Sequence, residues 1–478
     1  MDFDPLSSAV YGFGPPGRSI VMSIGEAPGE EEFYKGRPFV GRSGLEQEWY
    51  LEPHNVSSRS WYKTNVCKTY IAGNPDPTPE LISFWRQALL DEIRDKQPRL
   101  IIAVGRFAAR WFLDPNCDLE DVHRLLFSWR EPDTNRLIYI LPIYHPAFGF
   151  HSTDMKPQIA EDYATVAKFC KILRSNPNAA LSEFLVTPDP LDGKEQYHDV
   201  GGRELISLLE PYHDSVLSAP LEFGMDTEGW VSNPWSVQIS PEPGIGYVLR
   251  CSRDDFDDAI SYLQTCAERG TTYITHQAGT PSGCMIDTQI CRSMGLELRY
   301  AEIWDTMYSA YLLRLESKSL KTLAYRWLQM KMEEYTLLIG DIGKQKQVEY
   351  LKIAAQRKWN KPDIVVLRQS DGSYKPKQYN SIGAYIDRIV SDVESGKVNA
   401  DGPTDPAKRW RKIPKFVRAP VERLYGVFPY GTLDDIPLKR AIYYAGRDPD
   451  ATGRLKPKLS IAMDERDREL DEKTRSVK

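Results

Sequence analysis

Apolar positions along this chain change period several times, and each change marks an element. Residues 19–25 (Ser-Ile-Val-Met-Ser-Ile-Gly) and 99–105 (Arg-Leu-Ile-Ile-Ala-Val-Gly) are apolar runs that stop at glycine, as buried strands do when a turn closes them. Residues 79–96 and 157–174 switch to a spacing of three and four, as at Leu81, Trp85, Leu89 and Ile93, which predicts helices with one apolar face. Strand and helix alternating in this way imply an α/β layer with parallel strands. Reactive side chains in such a layer gather at the carboxyl ends of the strands. Glu26, Asn65 and His145 fall at those ends.

A second unit opens at Phe223-Gly-Met-Asp226-Thr-Glu228-Gly-Trp230, a strand and turn, with a partner strand at Trp235-Ser-Val-Gln-Ile-Ser240. Helical spacing follows around 253–268, 286–294, 304–314 and 318–329. Between the two units, residues 186–220 are Pro/Gly/Asp-rich and then shortly helical, which reads as a connector. Residues 344–418 break the pattern, with 17 Lys/Arg against 8 Asp/Glu and Trp359, Tyr374, Tyr379, Tyr385 and Trp410 interspersed. That composition fits either a solvated insertion or a flap that tracks a nucleic-acid backbone and stacks on bases. The predicted domains are thus 1–185, a linker at 186–220, 221–460 with the basic insertion at 344–418, and a charged tail at 461–478.

Composition narrows the class. A chain of 478 residues is long enough for two or three cores. A formal net charge of -6 excludes a simple polycation that coats nucleic acid, so any DNA contact requires local basic surface. The 7 cysteines (67, 117, 170, 251, 266, 284 and 291) are scattered and never spaced Cys-x-x-Cys, which suits a reducing compartment. Met1-Asp-Phe-Asp-Pro5 lacks a signal-peptide core, and no apolar run approaches the roughly 20 residues that span a bilayer. The expectation is a cytoplasmic protein with no membrane contact, in the host cytoplasm if the chain is phage-encoded.

The first candidate site combines a Gly/Pro turn with a carboxylate, Gly25-Glu26-Ala-Pro-Gly29, and a glycine-dense loop with one aromatic, Gly36-Arg-Pro-Phe39-Val-Gly41. A base can be excised from DNA only when flipped into a snug pocket. Such a pocket needs an aromatic face, an amide to read the base edge, a group to steady charge on the departing base, and a carboxylate to position water. Phe39, Asn65, His145 and Glu26 supply these types, with Glu30, Glu31 and Glu32 close behind. With Asn65-Val-Cys-Lys68, Pro77-Thr-Pro-Glu80, Pro98-x-x-Ile-Ile-x-x-Gly105 and His145-Pro-Ala-Phe148 in order, residues 18–174 resemble the family 4 uracil-DNA glycosylases. The resemblance implies that Gly25, Phe39 and Asn65 bind uracil, Phe39 by stacking and Asn65 at the base edge. By the same resemblance His145 stabilises the uracil anion, and Glu26 or Glu32 orients water and the sugar cation. Family 4 members hold an iron–sulfur cluster through four cysteines, two of them before the first motif. Residues 1–66 contain no cysteine, so no cluster is expected, with apolar packing in its place.

The second site starts from Asp226-Thr-Glu228, two acids on one face of a strand. Like charges so placed are most easily tolerated around cations, and Mg²⁺ or Mn²⁺ suits oxygen ligands. Phosphodiester hydrolysis commonly uses two such ions about 3.5–4 Å apart. Tyr444-Ala-Gly-Arg-Asp448 adds a phenol and a carboxylate on one helix face. With Trp304-Asp-Thr-Met-x-x-Ala-Tyr-Leu-Leu313, Leu320-Lys-Thr-Leu-Ala324 and Arg447-Asp-x-Asp-Ala-Thr452, residues 221–343 and 419–460 resemble the DEDD-superfamily 3′–5′ exonucleases, tyrosine subtype, as in the proofreading domains of family A DNA polymerases. By resemblance Asp226, Glu228 and Asp448 ligate two metal ions and Tyr444 positions the attacking water. The second motif departs from the family, because His276-Gln277-Ala278-Gly279 precedes a Thr-Pro-Ser-Gly stretch and the acid comes late. Asp287 is assigned as fourth ligand, with Asp305 the substitute.

The resemblances together imply an α/β protein of two domains. One is a glycosylase-like parallel-sheet α/β/α sandwich, the other a ribonuclease-H-like mixed-sheet exonuclease fold. They imply an enzyme of DNA replication or repair that excises uracil and trims single strands and 3′ ends, or an exonuclease whose glycosylase-like domain is catalytically silent and serves to bind DNA or uracil or to scaffold a polymerase. Only 26 residues follow Thr452, so a polymerase is expected as a separate subunit.

Overall fold

In a computed structural model of the chain, the residues described are 4–214, 221–277, 286–335, 338–339, 345–347, 349–350, 352–353, 363–368, 374–379, 391, 418–419, 422–423 and 432–476. The chain divides into two compact units, Met1–Asp192 with Arg314–Met330, and Gly193–Leu313 with Lys331–Lys478.

The first unit is built on five strands: β1 (Val21–Gly25), β2 (Tyr62–Asn65), β3 (Leu100–Val104), β4 (Phe127–Arg130) and β5 (Leu137–Ile143), ordered β2-β1-β3-β5-β4. All neighbours run parallel except the edge strand β4. Alternate residues of each strand enter opposite cores. Val21, Leu100, Ile102, Val104, Leu141 and Ile143 pack on one face against α2 (Arg42–Leu51) and α7 (Lys156–Ser175). Met22, Ile24, Ile101, Ala103, Ile138 and Ile140 pack on the other against α3 (Pro79–Lys96) and α4 (Arg106–Phe112). The result is an α/β/α sandwich. Shorter helices α1 (Glu30–Lys35), α5 (Leu119–Val122) and α6 (Phe148–His151) sit in the connections. Cys67, Leu81 and Trp85 form a small buried cluster beside Ala27 and Ile71.

The second unit carries a mixed sheet of β6 (Gln196–Val200), β7 (Glu222–Trp230), β8 (Asn233–Glu242), β9 (Ile245–Arg250), β10 (Thr272–Thr275) and β11 (Glu302–Asp305), ordered β11-β10-β7-β8-β9-β6. Strands β7, β8 and β9 form an antiparallel meander, flanked by parallel β10 and β11 on one side and parallel β6 on the other. Phe223, Met225, Val237 and Ile239 face α8 (Gly202–Asp214), α9 (Phe256–Glu268) and α10 (Ile286–Ser293) through Leu205, Leu209, Ile260, Leu263 and Ile290. Helix α11 (Thr306–Leu312) follows β11, and α12 (Leu320–Leu328) follows in sequence but belongs to the first unit. The opposite face of the sheet receives α13 (Leu438–Ser476), where Val248 meets Ile442 and Ala445. A separate hairpin pairs β12 (Asp363–Arg368) with β13 (Tyr374–Tyr379).

Three sequence expectations change. The connector at 186–220 is largely ordered into β6 and α8, because Val200, Leu205 and Leu209 enter the core of the second unit. The charged tail from 461 is the continuation of α13 up to Ser476, as its Glu, Arg and Lys are good helix formers with no proline beyond Pro457. Residues 314–330 leave the second unit and complete the first. Apart from the hairpin and a few short pieces, the basic insertion at 344–418 lies outside the described residues, as do Trp359, Tyr385 and Trp410. Six cysteines, all but Cys284, are described and all are free thiols. Among the described residues no helix is long and apolar enough to cross a membrane.

Candidate active sites

The first site lies where the four parallel strands of the first sheet end. Gly25 closes β1 and is paired in register with Asn65, which closes β2. Gly105 follows β3, and His145 follows β5 by two residues. These ends open on a cavity of about 720 Å³ whose lining includes Glu26, Glu32, Phe39, Asn65, Asp76, Arg106, Tyr144, His145 and Phe148. All four residue types singled out for base excision share this one cavity.

Local structure fixes each of them. A Cβ on Gly25 would fall 2.5 Å from Asn65 Oδ1 and 3.0 Å from the tip of the Phe39 ring, so only glycine lets the amide and the aromatic converge. Phe39 itself holds φ 59°, a left-handed conformation that costs an aromatic residue about 1–3 kcal/mol and persists only where neighbours enforce it. Glu32 Oε1 accepts the Gly41 backbone N–H at 2.7 Å and so ties down the loop that carries Phe39. Asn65 is held from behind by Lys68, fully buried, whose Nζ donates to the Asn65 carbonyl at 2.9 Å and to Glu92 at 2.8 Å.

The electrostatics separate Glu26 from His145. Burial, assisted by the charge of Asp76 and opposed by Arg106, pushes the Glu26 carboxyl up to about 7. Burial pushes His145 down to about 4, so its ring is neutral near pH 7. His145 Nδ1 accepts the Ala147 N–H at 3.2 Å. A neutral ring whose Nδ1 accepts must carry its proton on Nε2, as a donor.

The second site lies between β7 and α13. Carboxylate oxygens of Asp226, Glu228 and Asp448 come within 4.8 Å of one another. Asp226 and Glu228 share a face of β7 because they are two apart. Burial raises the Asp226 carboxyl well above its usual range, and the charges of Asp287, Asp448 and Glu228 raise it further. Tyr444, one turn before Asp448 on α13, is raised by burial and by Asp448, Glu228 and Asp226. Its ring meets Tyr335 at 6.0 Å. The phenol therefore stays protonated beside the acids.

Asp287 is not one of that triad, although its charge reaches Asp226. Its Oδ1 accepts the Thr227 hydroxyl at 2.9 Å, and its carboxyl is pushed up to about 6 by burial, with Asp305 adding to the effect and the Thr227 bond opposing it. Asp305 is committed elsewhere. One oxygen, Oδ1, accepts the backbone N–H groups of Gln277, Met307 and Tyr308 and caps α11. That oxygen therefore serves the backbone at the start of α11. Ala278, Gly279 and the Thr-Pro-Ser-Gly stretch before Asp287 lie outside the described residues.

Comparison with known proteins bears on the first unit. The family model of the uracil DNA glycosylase superfamily matches residues 11–167. The type-4 uracil-DNA glycosylase of Archaeoglobus fulgidus is 31% identical over 156 residues, which are 32% of this chain and 78% of that protein. The Thermotoga maritima enzyme is 30% identical over 168 residues, 34% of this chain and 84% of that protein. The chain belongs to the uracil-DNA glycosylase superfamily. The superfamily region contains the whole pocket, from Glu26 to Phe148. A crystal structure of the EXD2 exonuclease domain soaked in Mn and Mg covers 28% of this chain and 66% of that one at 20% identity, with a TM-score of 0.16. A score so low leaves the second unit to stand on its own geometry.

Sequence reasoning missed several residues that shape the pocket. Asp76 and Arg106 set the charge around Glu26, and Lys68 pins Asn65, although Lys68 stood inside a motif already singled out. In the second unit Asp450 is fully buried and accepts Tyr197 Oη and the Gly244 N–H, each at 2.8 Å. Asp450 stood inside the Arg447–Thr452 motif already singled out, but without a role of its own.

Proposed function

We propose that this chain is a bifunctional DNA hydrolase, a uracil-DNA glycosylase joined to a metal-dependent 3′–5′ exonuclease. The observation that carries the first half is the neutral His145, its proton on Nε2, in a cavity also lined by Phe39, Asn65 and Glu26. A flipped uracil stacks on Phe39 and is read at its edge by the Asn65 amide. As the glycosidic bond breaks, its electron pair leaves with the base, and His145 Nε2–H donates to the oxygen where that charge develops. The Glu26 carboxylate steadies the sugar cation and orients the water that adds to the sugar carbon, taking its proton. Glu32 acts on the Phe39 loop through Gly41.

The second half rests on Asp226, Glu228 and Asp448 gathered beside Tyr444. Two acids whose charges raise the proton affinity of a buried third fit hard divalent cations, which relieve the repulsion. Asp226, Glu228 and Asp448, with Asp287 as the fourth ligand, would hold two Mg²⁺ or Mn²⁺ ions, which would supply an activated nucleophile and neutralise the leaving oxygen. The protonated Tyr444 phenol orients the attacking water. A 3′ end in the second site suits proofreading beside a separate DNA polymerase subunit.

The test is incubation of 5′-labelled single-stranded and duplex DNA containing one uracil, with Mg²⁺ or EDTA, followed by alkali. A break at uracil that persists in EDTA and a Mg²⁺-dependent ladder shortening from the 3′ end are the expected results. A ladder without the break overturns the excision half and leaves a DNA-holding pocket.

A further inference from the structure

The stretch Arg314–Met330 lies in sequence between α11 of the second unit and the rest of that unit, yet it folds as part of the first. It leaves α11 through a left-handed residue, Arg314 (φ 56°), and α12 ends on another, Gln329 (φ 60°). Its contacts fall on two segments that line the uracil pocket.

The first contact is with α5 and its flanks, which carry Asp118 and Leu119 of the pocket lining. Arg326 donates to the carbonyl oxygens of Glu120 at 3.0 Å and His123 at 3.2 Å. Thr322 hydrogen-bonds the Asp121 carboxylate. The second contact is a buried relay. Glu316 Oε2 lies 2.9 Å from His123 Nε2, and His123 Nδ1 lies 2.9 Å from Asp162 Oδ1. Asp162 Oδ2 then accepts the Tyr144 backbone N–H at 2.7 Å. Tyr144 precedes His145, and its ring packs on His123 at 4.5 Å and stacks near Phe148 at 5.9 Å. His123 and Asp162 are almost wholly buried, and Arg124 pairs with Glu316 as well.

We propose that residues 314–330 are a strap that holds the His145 loop and the Asp118–Leu119 lip in working geometry, with Glu316, His123, Asp162 and Arg326 as positioning residues. Excision of uracil then depends on a segment donated from the sequence of the nuclease half, and residues 1–192 alone form an incomplete glycosylase. The assignment rests on the excision reading above. It gives the insertion at 314–330 a function that a mere crossing between units would not have. A displacement of the His145 donor of about 1 Å suffices to lower turnover by about 100-fold.

The experiment uses the full chain with Glu316→Ala, Glu316→Gln and Arg326→Ala. Readouts are uracil release from single-stranded DNA in EDTA, Mg²⁺-dependent nuclease activity, and hydrogen–deuterium exchange of peptides spanning 117–124 and 141–149. Glu316→Ala and Arg326→Ala are expected to lower kcat for uracil release by about 10-fold or more with KM within about threefold, and to speed exchange in both peptides. Nuclease activity stays at the wild-type level and reports an intact second unit. Glu316→Gln, which keeps an acceptor for His123, recovers most of the turnover. Unchanged turnover and exchange in both truncation variants overturn the strap. So does an equal loss of both activities, which marks general unfolding. A wild-type chain that releases no uracil overturns the excision reading alone, because the exchange readout still judges the strap.

Discussion

Gly224 on β7 and Pro449 on α13 touch backbone to backbone: a Cβ on Gly224 would sit 2.0 Å from the Pro449 carbonyl oxygen. Gly224 precedes Asp226 by two residues on the same strand face, and Pro449 directly follows Asp448. The approach of helix to strand at this point therefore sets how near Asp448 comes to Asp226 and Glu228. Gly224→Ala is expected to push α13 outward, leave the three acids in place chemically, and lower Mg²⁺-dependent nuclease activity by about 100-fold. Uracil release should not change. Both activities measured on one preparation check this, and a nuclease rate within about twofold of wild type would refute the spacing argument.

A second prediction concerns the charge of that acidic cluster. Asp226 is pushed far up by burial and by its three acidic neighbours, so it resists ionisation when no cation is bound. Asp226→Asn is expected to abolish nuclease activity and, in EDTA, to leave thermal stability equal or higher. The wild type should gain several degrees on adding 5–10 mM Mg²⁺, taken as about 10–100 times Kd, through binding to the folded state alone. The variant should gain little. A metal-induced shift of equal size in both proteins would exclude Asp226 as a ligand.

The two acids that sequence left as alternatives separate in the same way. Asp305 accepts three backbone N–H groups at the start of α11, so Asp305→Ala is expected to cost about 0.5–2 kcal/mol as a lost cap. Asp287→Asn keeps a partner for the Thr227 hydroxyl and should scarcely change stability. Chemical denaturation and nuclease rates of the two variants side by side check the division. Loss of activity in Asp305→Ala without loss of stability would reverse it.

The strands and helices of the first unit were legible because each apolar run or helical face is local. Val21–Gly25, Leu100–Val104 and Pro79–Lys96 appear as elements within a residue or two of where the sequence puts them. The convergence of Glu26, Phe39, Asn65 and His145 on one cavity also follows the rule that reactive side chains cluster at strand ends. What the sequence hid was non-local. Nothing in Arg314–Met330 announces that it packs beside Asp162 rather than in the unit that surrounds it in sequence. Gly224 looks like an ordinary strand glycine until Pro449 is brought against it, 225 positions away. Asp305 and Asp287 differ only in their partners, which no spacing rule reveals.

Lys68 tests how far the pocket depends on support from behind. Its ammonium is fully buried and bonded to Glu92, Thr64 and the Asn65 carbonyl. Lys68→Met leaves the Glu92 carboxylate without its charge partner, and removal of one member of a buried pair costs about 3–5 kcal/mol. The expected result is a chain whose first unit unfolds at lower denaturant. Material that remains folded should bind and release uracil poorly, because the Asn65 edge is no longer held. A variant of wild-type stability would show that the pair carries no structural weight.

The pH response of the first site follows from Glu26 and His145 together. Glu26 is pushed up to about 7 and His145 down to about 4, so of the two only Glu26 changes charge between pH 5 and 9. On the proposed mechanism uracil release needs the Glu26 carboxylate, so it should rise with pH through about 7, then level off without a His145 limb. Stability moves the other way. The folded state binds the Glu26 proton more tightly than the unfolded chain does, whose carboxyl titrates near 4.5. Glu26 therefore costs nothing below about pH 4.5, and its destabilising effect grows as pH rises towards 7 and is complete above it. Glu26→Gln removes the cost, so at pH 8 it should melt higher than wild type while releasing uracil at least about 100-fold more slowly. At pH 4.5 the two proteins should melt together. A pH–rate profile for wild type and melting curves for both at pH 4.5 and 8 decide the matter. A profile flat across pH 7, or a variant that melts lower at pH 8, would remove Glu26 from the role of buried base.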